Sequence, residues 1–285
     1  MTQPLSFAVI GHPVAHSRSP QIHMAFAAQF GITLVYERID SPVADFEATV
    51  ERFFNQSGRG LNVTVPFKER AYVMAQAQLS ARARDAGAVN TLWLDDGQLH
   101  GCNTDGVGLV ADLTRLEMPV RGARILLVGA GGAARGVLGP LLDAGVTHIL
   151  VANRTASRAQ SLLDAWTQAH PQDADRLQAA GLDQVADDAA PDLIINATSS
   201  SLQDEKLPLP ASLFGPQVRA YDMMYGDKPT SFMQQAQQAG SHQVADGLGM
   251  LVGQAGESFR IWHGCQPRIE PVIDQIRTQL KASVR

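Results

Sequence analysis

The segment LNVTVPFKER, residues 61–70, sets Asn62, Thr64 and Lys68 in a row. Leu61, Val63 and Val65 alternate with Asn62 and Thr64, the period of a half-buried strand. Pro66 ends the ladder because it has no N–H to donate. Asn62 and Thr64 therefore point to one side, and Lys68 follows just beyond the strand end. A carboxamide and a hydroxyl can hold a polar ligand. An ammonium beside them can stabilise negative charge growing on a ligand oxygen and deliver a proton to it, or take one back as the neutral amine. Taken alone, this stretch is better read as an amphipathic edge strand with a solvated polar face; the rest of the chain changes the balance.

ILLVGAGGAARG, residues 125–136, has a strand, then Gly129-x-Gly131-x-x-Ala134, then a helix. Gly129 permits a tight turn, Gly131 lets the backbone approach a pyrophosphate, and Ala134 keeps the helix close to the strand. The helix start offers free N–H groups and a positive dipole end to phosphates. A tight turn without a ligand is the alternative, but the flanking strand and helix favour a dinucleotide. The next strand ends in ANRTASR. Asn153 stands where an acid would bond a ribose 2′-hydroxyl, and Arg154 and Arg158 follow. Guanidiniums grip a 2′-phosphate that an acid would repel, so NADP is the expected cofactor. A solvated arginine pair is the alternative, although cations at a helix start oppose the dipole.

Four other stretches place polar residues where packing does not need them. GHPVAHSRSPQIH carries Ser17 and Ser19; Ser19 has a sufficient structural role as the N-cap before Pro20, and Ser17 has none. AVNT puts Asn90 in a strand context that disfavours it. GCNTDG puts Asp105 at an expected domain junction. GMLVGQAGESF puts Met250 and Gln254 four apart on one helix face, where core packing accounts for Met250 at least as well.

These residues need a scaffold. Strands are expected at 5–11, 33–39 and 60–67, a hairpin over 88–105 turning at Asp96-Gly97, and helices at 19–31 and 43–56. A helix at 106–118 leads into a second series: strand, Gly-rich turn and helix over 123–146, then strands at 148–155, 192–199 and 219–225, with helices at 156–170 and 231–240. The last segments, 247–264 and 271–283, are helical. Strands alternating with helices predict an α/β protein of two domains, an N-terminal mixed α/β substrate domain and a Rossmann-like NADP-binding domain, with the cleft between them. The expected substrate domain covers 1–105, completed by C-terminal helices over 241–285, and the cofactor domain covers 106–240.

The totals agree with this frame. The chain has 285 residues, 45% of them hydrophobic and 18% charged, enough for two cores and too little charge for disorder. A net charge of −5 gives no basic excess for a nucleic-acid partner. The two cysteines, Cys102 and Cys265, are far apart, which argues against a disulfide scaffold and suits a reducing cytoplasm. The scattered histidines show no metal-ligand spacing. No signal peptide or membrane-spanning run is apparent, so a soluble cytoplasmic protein is expected.

GHPVAHSRSPQIH, NVTVPFKE, GAVNTL, NTDGVG, GAGGAARG, NRTASRA, INATSSS, YDMMY and GLGMLVGQA occur in the order found in shikimate dehydrogenases, and the chain resembles that family over nearly its whole length. The resemblance implies NADPH-dependent reduction of 3-dehydroshikimate to shikimate, in aromatic amino-acid synthesis, with no nucleic-acid or membrane partner and a monomer or weak homodimer. It implies Ser17 and Ser19 on the substrate carboxylate, with Tyr225 nearby. Asn62, Thr64, Asn90, Asp105 and Gln254 would hold the ring hydroxyls, and Lys68 with Asp105 would be the catalytic pair. Gly129, Gly131, Gly132 and Ala133 match the pyrophosphate loop, and Asn153, Arg154, Thr155 and Arg158 the 2′-phosphate clamp. Thr198 and Ser199 match a turn beside the cofactor, and Met223 and Gly247 positions near the nicotinamide. Met24 departs from the Asn frequent in the family, with an effect expected on packing. A quinate or NAD specificity within the same fold is the nearest competing reading. A non-catalytic metabolite sensor is another, which the presence of both Lys68 and Asp105 disfavours. A different amino-acid or folate-linked dehydrogenase with the same two-domain plan would not need HSRSP or NVTVPFK.

Overall fold

A computed structural model describes residues 4–186 and 189–282. The first part of the chain runs β1 (Leu5–Gly11), α1 (Ser19–Gln29), β2 (Leu34–Asp40), α2 (Phe46–Asn55), β3 (Gly58–Val63), α3 (Lys68–Met74), α4 (Ala81–Ala86), β4 (Thr91–Asp95), β5 (Gln98–Cys102) and α5 (Asp105–Arg115). The second runs β6 (Arg124–Val128), α6 (Gly132–Asp143), β7 (His148–Asn153), α7 (Ala156–Ala169), β8 (Leu177–Gly181), β9 (Leu193–Asn196), β10 (Arg219–Asp222), α8 (Ser231–Gln238) and β11 (Val244–Asp246). Helices α9 (Leu248–His263) and α10 (Glu270–Ala282) close it.

The chain divides into two compact units. One comprises residues up to Gly108 together with Leu251–Gln279; the other comprises Leu109–Met250. The crossings thus fall inside α5 and α9, later than the expected 105 and 240. The second moves because β11 pairs in parallel with β10 and Met250 joins the apolar core of that same unit.

In the first unit five strands lie in the order β2-β1-β3-β4-β5. β1 is parallel to β2 and β3, and β4 runs antiparallel to β3 and β5. The hairpin turns at Asp96-Gly97, whose φ values of +46° and +76° suit a two-residue turn with both residues left-handed. Period-two burial separates two apolar layers. Ala8, Ile10, Leu61 and Val63 pack on Phe46, Val50 and Phe67, while Phe7 and Val9 pack with Val14 and Tyr36.

In the second unit six parallel strands lie in the order β11-β10-β9-β6-β7-β8. Both faces are covered, so the strands read as continuous apolar runs such as RILLV in β6. Ile125 and Leu127 face one core and Leu126 and Val128 the other. The chain starts in the middle at β6, moves out through β7 to β8, then returns to β9 on the other side. The carboxyl ends of β6 and β9 are therefore the switch point where open α/β sheets bind ligands.

Candidate active site

In the first unit, β3 ends at Val63, so Thr64 lies just past the strand and Lys68 opens α3. Lys68 Nζ donates to Asp105 Oδ2 at 2.6 Å, and Asn90 Nδ2 donates to the other carboxylate oxygen at 2.8 Å. Asp105 is the first residue of α5, where the dipole favours an anion. Lys68 stands at the first position of its own helix, where the dipole disfavours a cation, so the carboxylate is its compensating partner. The Lys68 side chain is about one-third exposed.

Asn90 is buried and sits at the centre of this group. Its Oδ1 accepts from Thr104 N at 3.0 Å and Thr91 Oγ1 at 2.9 Å, and its Nδ2 also lies 3.3 Å from Gln254 Oε1. Gln254 Oε1 accepts from Thr104 Oγ1 at 3.2 Å. Asn62 is buried too. Its Nδ2 faces the Asn90 carbonyl oxygen at 3.1 Å, Thr91 Oγ1 at 3.3 Å and Ser258 Oγ at 3.1 Å, while its Oδ1 accepts from the Tyr36 hydroxyl at 2.6 Å. Thr64 is half-buried, and its hydroxyl has no partner among the described residues.

Ser19 is not the N-cap that the sequence suggests. Arg18 occupies that position with no side-chain cap, and Ser19 is the first helical residue. Ser17 plays the local part instead. Its Oγ accepts from Ser19 N–H at 3.3 Å and donates to Ser19 Oγ at 3.1 Å. The physical reason is that Ser17 reaches back over the helix start, whereas Ser19 faces inward beside Tyr36. The expected packing role of Met24 also fails, because its side chain is 55% exposed. Met250 is the buried core residue that the alternative reading described.

The second unit holds the glycine-rich turn between β6 and α6. Gly129 follows β6 with φ +111°, and a Cβ there would meet Thr198 Cγ2 at 3.1 Å and the Ala197 carbonyl at 3.2 Å. Gly131 and Gly132 face open space at the start of α6, beside Ala133, and Ala134 is fully buried. The loop thus leaves room for a phosphate against bare N–H groups. Asn153 ends β7, and its Nδ2 donates to the Thr155 carbonyl at 2.9 Å, setting the entry to α7. Arg154, Thr155 and Arg158 are exposed there, and neither guanidinium has an acidic partner among the described residues. Two unpaired cations at a helix start, with no acid at the strand end, fit a 2′-phosphorylated nucleotide.

The β9 and β10 ends are tied by a buried carboxylate. Asp222 accepts from Ser201 Oγ at 2.5 Å, Thr230 Oγ1 at 2.6 Å, Met224 N at 3.0 Å and Asn196 Nδ2 at 3.2 Å. Burial raises its carboxyl above the usual range, and the hydroxyl, backbone and amide donors oppose that shift. Asn196 Oδ1 in turn accepts from Thr198 N and Oγ1, which sets the turn carrying Thr198 and the exposed Ser199. Met223 N–H donates to the Asn196 carbonyl, and Gly247 N–H to that of Met224. A Cβ at Gly247 would collide with the Met223 carbonyl, so glycine is required there. Tyr225 lies half-buried in the same loop of this unit.

Each unit therefore gathers its own set: Ser17, Ser19, Asn62, Thr64, Lys68, Asn90, Asp105 and Gln254 in one, and the glycine loop, arginines, Thr198, Met223, Tyr225 and Gly247 in the other. Sequence reading missed Tyr36, Thr104 and Ser258 in the first and Asn196 and Asp222 in the second. Ser258 had a signal, since it lies one turn after Gln254 on α9. Asn196 and Asp222 end apolar strands at the edge where ligands bind, which is also a readable sign.

Three family models match the chain in order: the shikimate dehydrogenase substrate binding domain over residues 9–92, shikimate/quinate 5-dehydrogenase over 112–203, and the shikimate 5′-dehydrogenase C-terminal domain over 247–277. The shikimate dehydrogenase (NADP(+)) of Bordetella avium is 56% identical, covering 97% of this chain and 96% of its own. That of Cupriavidus taiwanensis is 52% identical, covering 97% and 94%. The crystal structure of Thermus thermophilus shikimate 5-dehydrogenase, in complex with NADP(H) and shikimate, superposes with a TM-score of 0.85 at 35% identity, covering 97% of this chain and all of that one. With three family models in sequence and relatives above half identity along nearly all of its length, the chain belongs to the shikimate dehydrogenase family.

Proposed function

We propose that this protein is an NADP-dependent shikimate dehydrogenase in which Lys68 and Asp105 act on the ring carbonyl and hydroxyl of the substrate, working in the reductive direction on 3-dehydroshikimate. The observation that carries the reading is the 2.6 Å bond between Lys68 and Asp105, held from behind by Asn90. Relatives that share the family bear the NADP(+) name, and Arg154 and Arg158, with no acidic partner among the described residues, support the same cofactor.

Bound NADPH supplies a hydride to the ketone carbon. Negative charge then grows on the ketone oxygen, where the Lys68 ammonium stabilises it and gives up one proton, producing the hydroxyl and a neutral amine that water reprotonates. Asp105 holds the ammonium in place and offers its other oxygen's lone pairs to the adjoining hydroxyl. Ser17 and Ser19 donate to the substrate carboxylate. Thr64, whose hydroxyl has no partner among the described residues, and Gln254 complete the hold on the ring; Asn90 orients Gln254 through its Nδ2, and Asn62 braces the Asn90 carbonyl. Oxidation of shikimate runs the same steps backwards, with Lys68 as the neutral base.

The test is absorbance at the nicotinamide band with shikimate or quinate and NADP or NAD, in all four pairings, beside Lys68→Ala. Fast turnover with shikimate and NADP, largely lost in the variant, is the expected outcome. Preference for quinate or NAD would overturn the specificity, and metabolite binding without turnover in any pairing would overturn the enzyme reading.

A further inference from the structure

The loop between β1 and α1, which carries Ser17, is held from outside by the edge strand β2. Arg38 and Asp40 lie two apart on β2 and so project from the same face. Asp40 Oδ1 lies 2.7 Å from His12 Nδ1, which pins the loop where it leaves β1. Val14, in the middle of the loop, is buried with Phe7 and Val9. Arg38 takes the far end. Its Nε and Nη2 both donate to the Ser17 carbonyl oxygen, at 2.9 and 2.7 Å, and Nη2 lies 3.2 Å from Gln21 Oε1 in the first turn of α1.

Every polar group of Ser17 is thereby engaged. Its N–H closes a turn on the Val14 carbonyl at 3.0 Å, its hydroxyl is shared with Ser19, and its carbonyl is held by Arg38. Ser17 and Ser19 flank Arg18 at the start of α1, so fixing the Ser17 peptide fixes how the two hydroxyls stand to each other. Charge enters as well. Arg38 has no acidic partner among the described residues, and its two acceptors are neutral. The start of α1 has no side-chain cap and no acid in its first turn. A guanidinium and the positive end of a helix therefore meet beside the serine pair with no carboxylate of the described residues against them, an arrangement that favours an anion there.

We infer that Arg38 is a positioning residue for the substrate carboxylate: it fixes Ser17, and through it the serine pair, and keeps a positive charge behind the two hydroxyls. It acts through Ser17, without touching the substrate. The inference rests on Ser17 and Ser19 being the carboxylate donors. A neutral ester can accept from the same hydroxyls but makes weaker bonds and gains nothing from the charge, so the role of Arg38 shows as a preference for the acid over the ester.

The experiment compares KM and kcat for shikimate and for its methyl ester, with NADP, in wild type, Arg38→Met, Arg38→Gln, Arg38→Lys, Ser17→Ala and the Ser17→Ala/Arg38→Met double variant. Arg38→Met keeps the aliphatic stem and removes the donors and the charge. It should raise the shikimate KM about tenfold, the scale of a hydrogen bond to a charged group, with kcat and the NADP KM little changed. The ester KM should rise less, so that the preference for the acid narrows. In the Ser17→Ala background Arg38→Met should cost less than in wild type, because the residue it holds has lost its hydroxyl. Arg38→Gln guards against misfolding, since it stays polar on an exposed strand position while removing the charge. It should melt like wild type and show the same narrowed preference. Arg38→Lys should keep more of the preference than either neutral variant. Equal KM rises for acid and ester, full additivity with Ser17→Ala, a fall in kcat with KM intact, or an Arg38→Lys no more selective than Arg38→Gln would each overturn the role of Arg38. If Ser17→Ala itself changes neither the shikimate KM nor the ester preference, the reading of the serines fails, which is a separate result.

Discussion

Lys68 Nζ and Asp105 Oδ2 stand 2.6 Å apart while Asn90 holds the carboxylate's other oxygen at 2.8 Å. The three residues come from three different elements, α3, the approach to β4, and α5. The Lys68 carbonyl also accepts from Val89 N–H at 2.9 Å, which ties the start of α3 to the segment carrying Asn90. The ammonium is thus fixed through its backbone and its side chain together, which is what the proposed role of proton donor would require.

Lys68→Ala should lower kcat by about 100- to 10,000-fold, the usual worth of a positioned acid or base. Shikimate KM should change far less, because the ring retains its other donors and acceptors. Steady-state kinetics in both directions checks this. A large KM rise with kcat intact would make Lys68 a binding group only.

Asn90 and Thr64 should separate stability from binding. Asn90→Ala leaves the Thr104 N–H without its acceptor in a buried place, at about 1–3 kcal/mol, while the Thr91 hydroxyl can turn to Ser258 Oγ at 2.7 Å. Thr64→Val removes a hydroxyl with no partner among the described residues and keeps the shape, so stability should stay within about 0.5 kcal/mol. Urea unfolding should therefore show a clear loss for Asn90→Ala and none for Thr64→Val, while shikimate KM rises in Thr64→Val.

Arg154 and Arg158 should carry the choice of cofactor. Replacing either by Ala removes one charge-assisted contact of about 1.5–3 kcal/mol, so NADPH KM should rise about 10- to 100-fold. NADH has no 2′-phosphate, and its KM should hardly move. Equal effects on both cofactors would show that the arginines act on something other than the 2′-phosphate.

His23 should make stability depend on pH. Burial lowers its pKa from 6.5 to about 3, helped by the nearby His263 and opposed by Asn62. Below 6.5 the unfolded chain takes up a proton that the folded chain refuses, so stability falls as pH drops from 6.5 towards 3. The slope contributed by this residue is up to about 1.4 kcal/mol per pH unit. Above 6.5 both states are neutral and the contribution is flat. His23→Phe keeps an aromatic ring against Tyr36 and should flatten the acid limb in denaturant titrations at a series of pH values.

How much of this was readable follows from where each residue's partners lie. The Gly129 loop is local: strand, turn and helix are adjacent in sequence, so pattern alone reaches it. Asp96-Gly97 is legible for the same reason. Edge strands β8 (LQAAG) and β11 (VAD) were missed because Ala and Gln carry little strand signal and their pairing depends on β7 and β10. Asn62 could be picked out as polar on an apolar strand, but its buried linking role could not, since its partners Asn90 and Ser258 lie 28 and 196 residues away. Ser17 and Ser19 bond to each other, but in local roles other than those the pattern suggests, because which serine reaches the helix N–H depends on backbone angles that the sequence pattern does not specify.

Gly129 and Gly131 should respond to the same substitution in different ways. Gly129 sits at φ +111°, a region costly for any residue with a Cβ, and has Thr198 and Ala197 within 3.2 Å of where that carbon would lie. Gly129→Ala should therefore lose about 1–3 kcal/mol of stability as well as cofactor binding. Gly131 has φ −90° and ψ −169°, which any L-residue adopts, and its Cβ would enter open space. Gly131→Ala should keep the wild-type Tm, since nothing in the protein resists the methyl group. A pyrophosphate lying against that backbone would resist it, so NADP affinity should fall sharply. Calorimetric melting and NADP titration on the two variants separate the effects. Unchanged NADP affinity in Gly131→Ala would mean that the phosphates lie elsewhere on the loop.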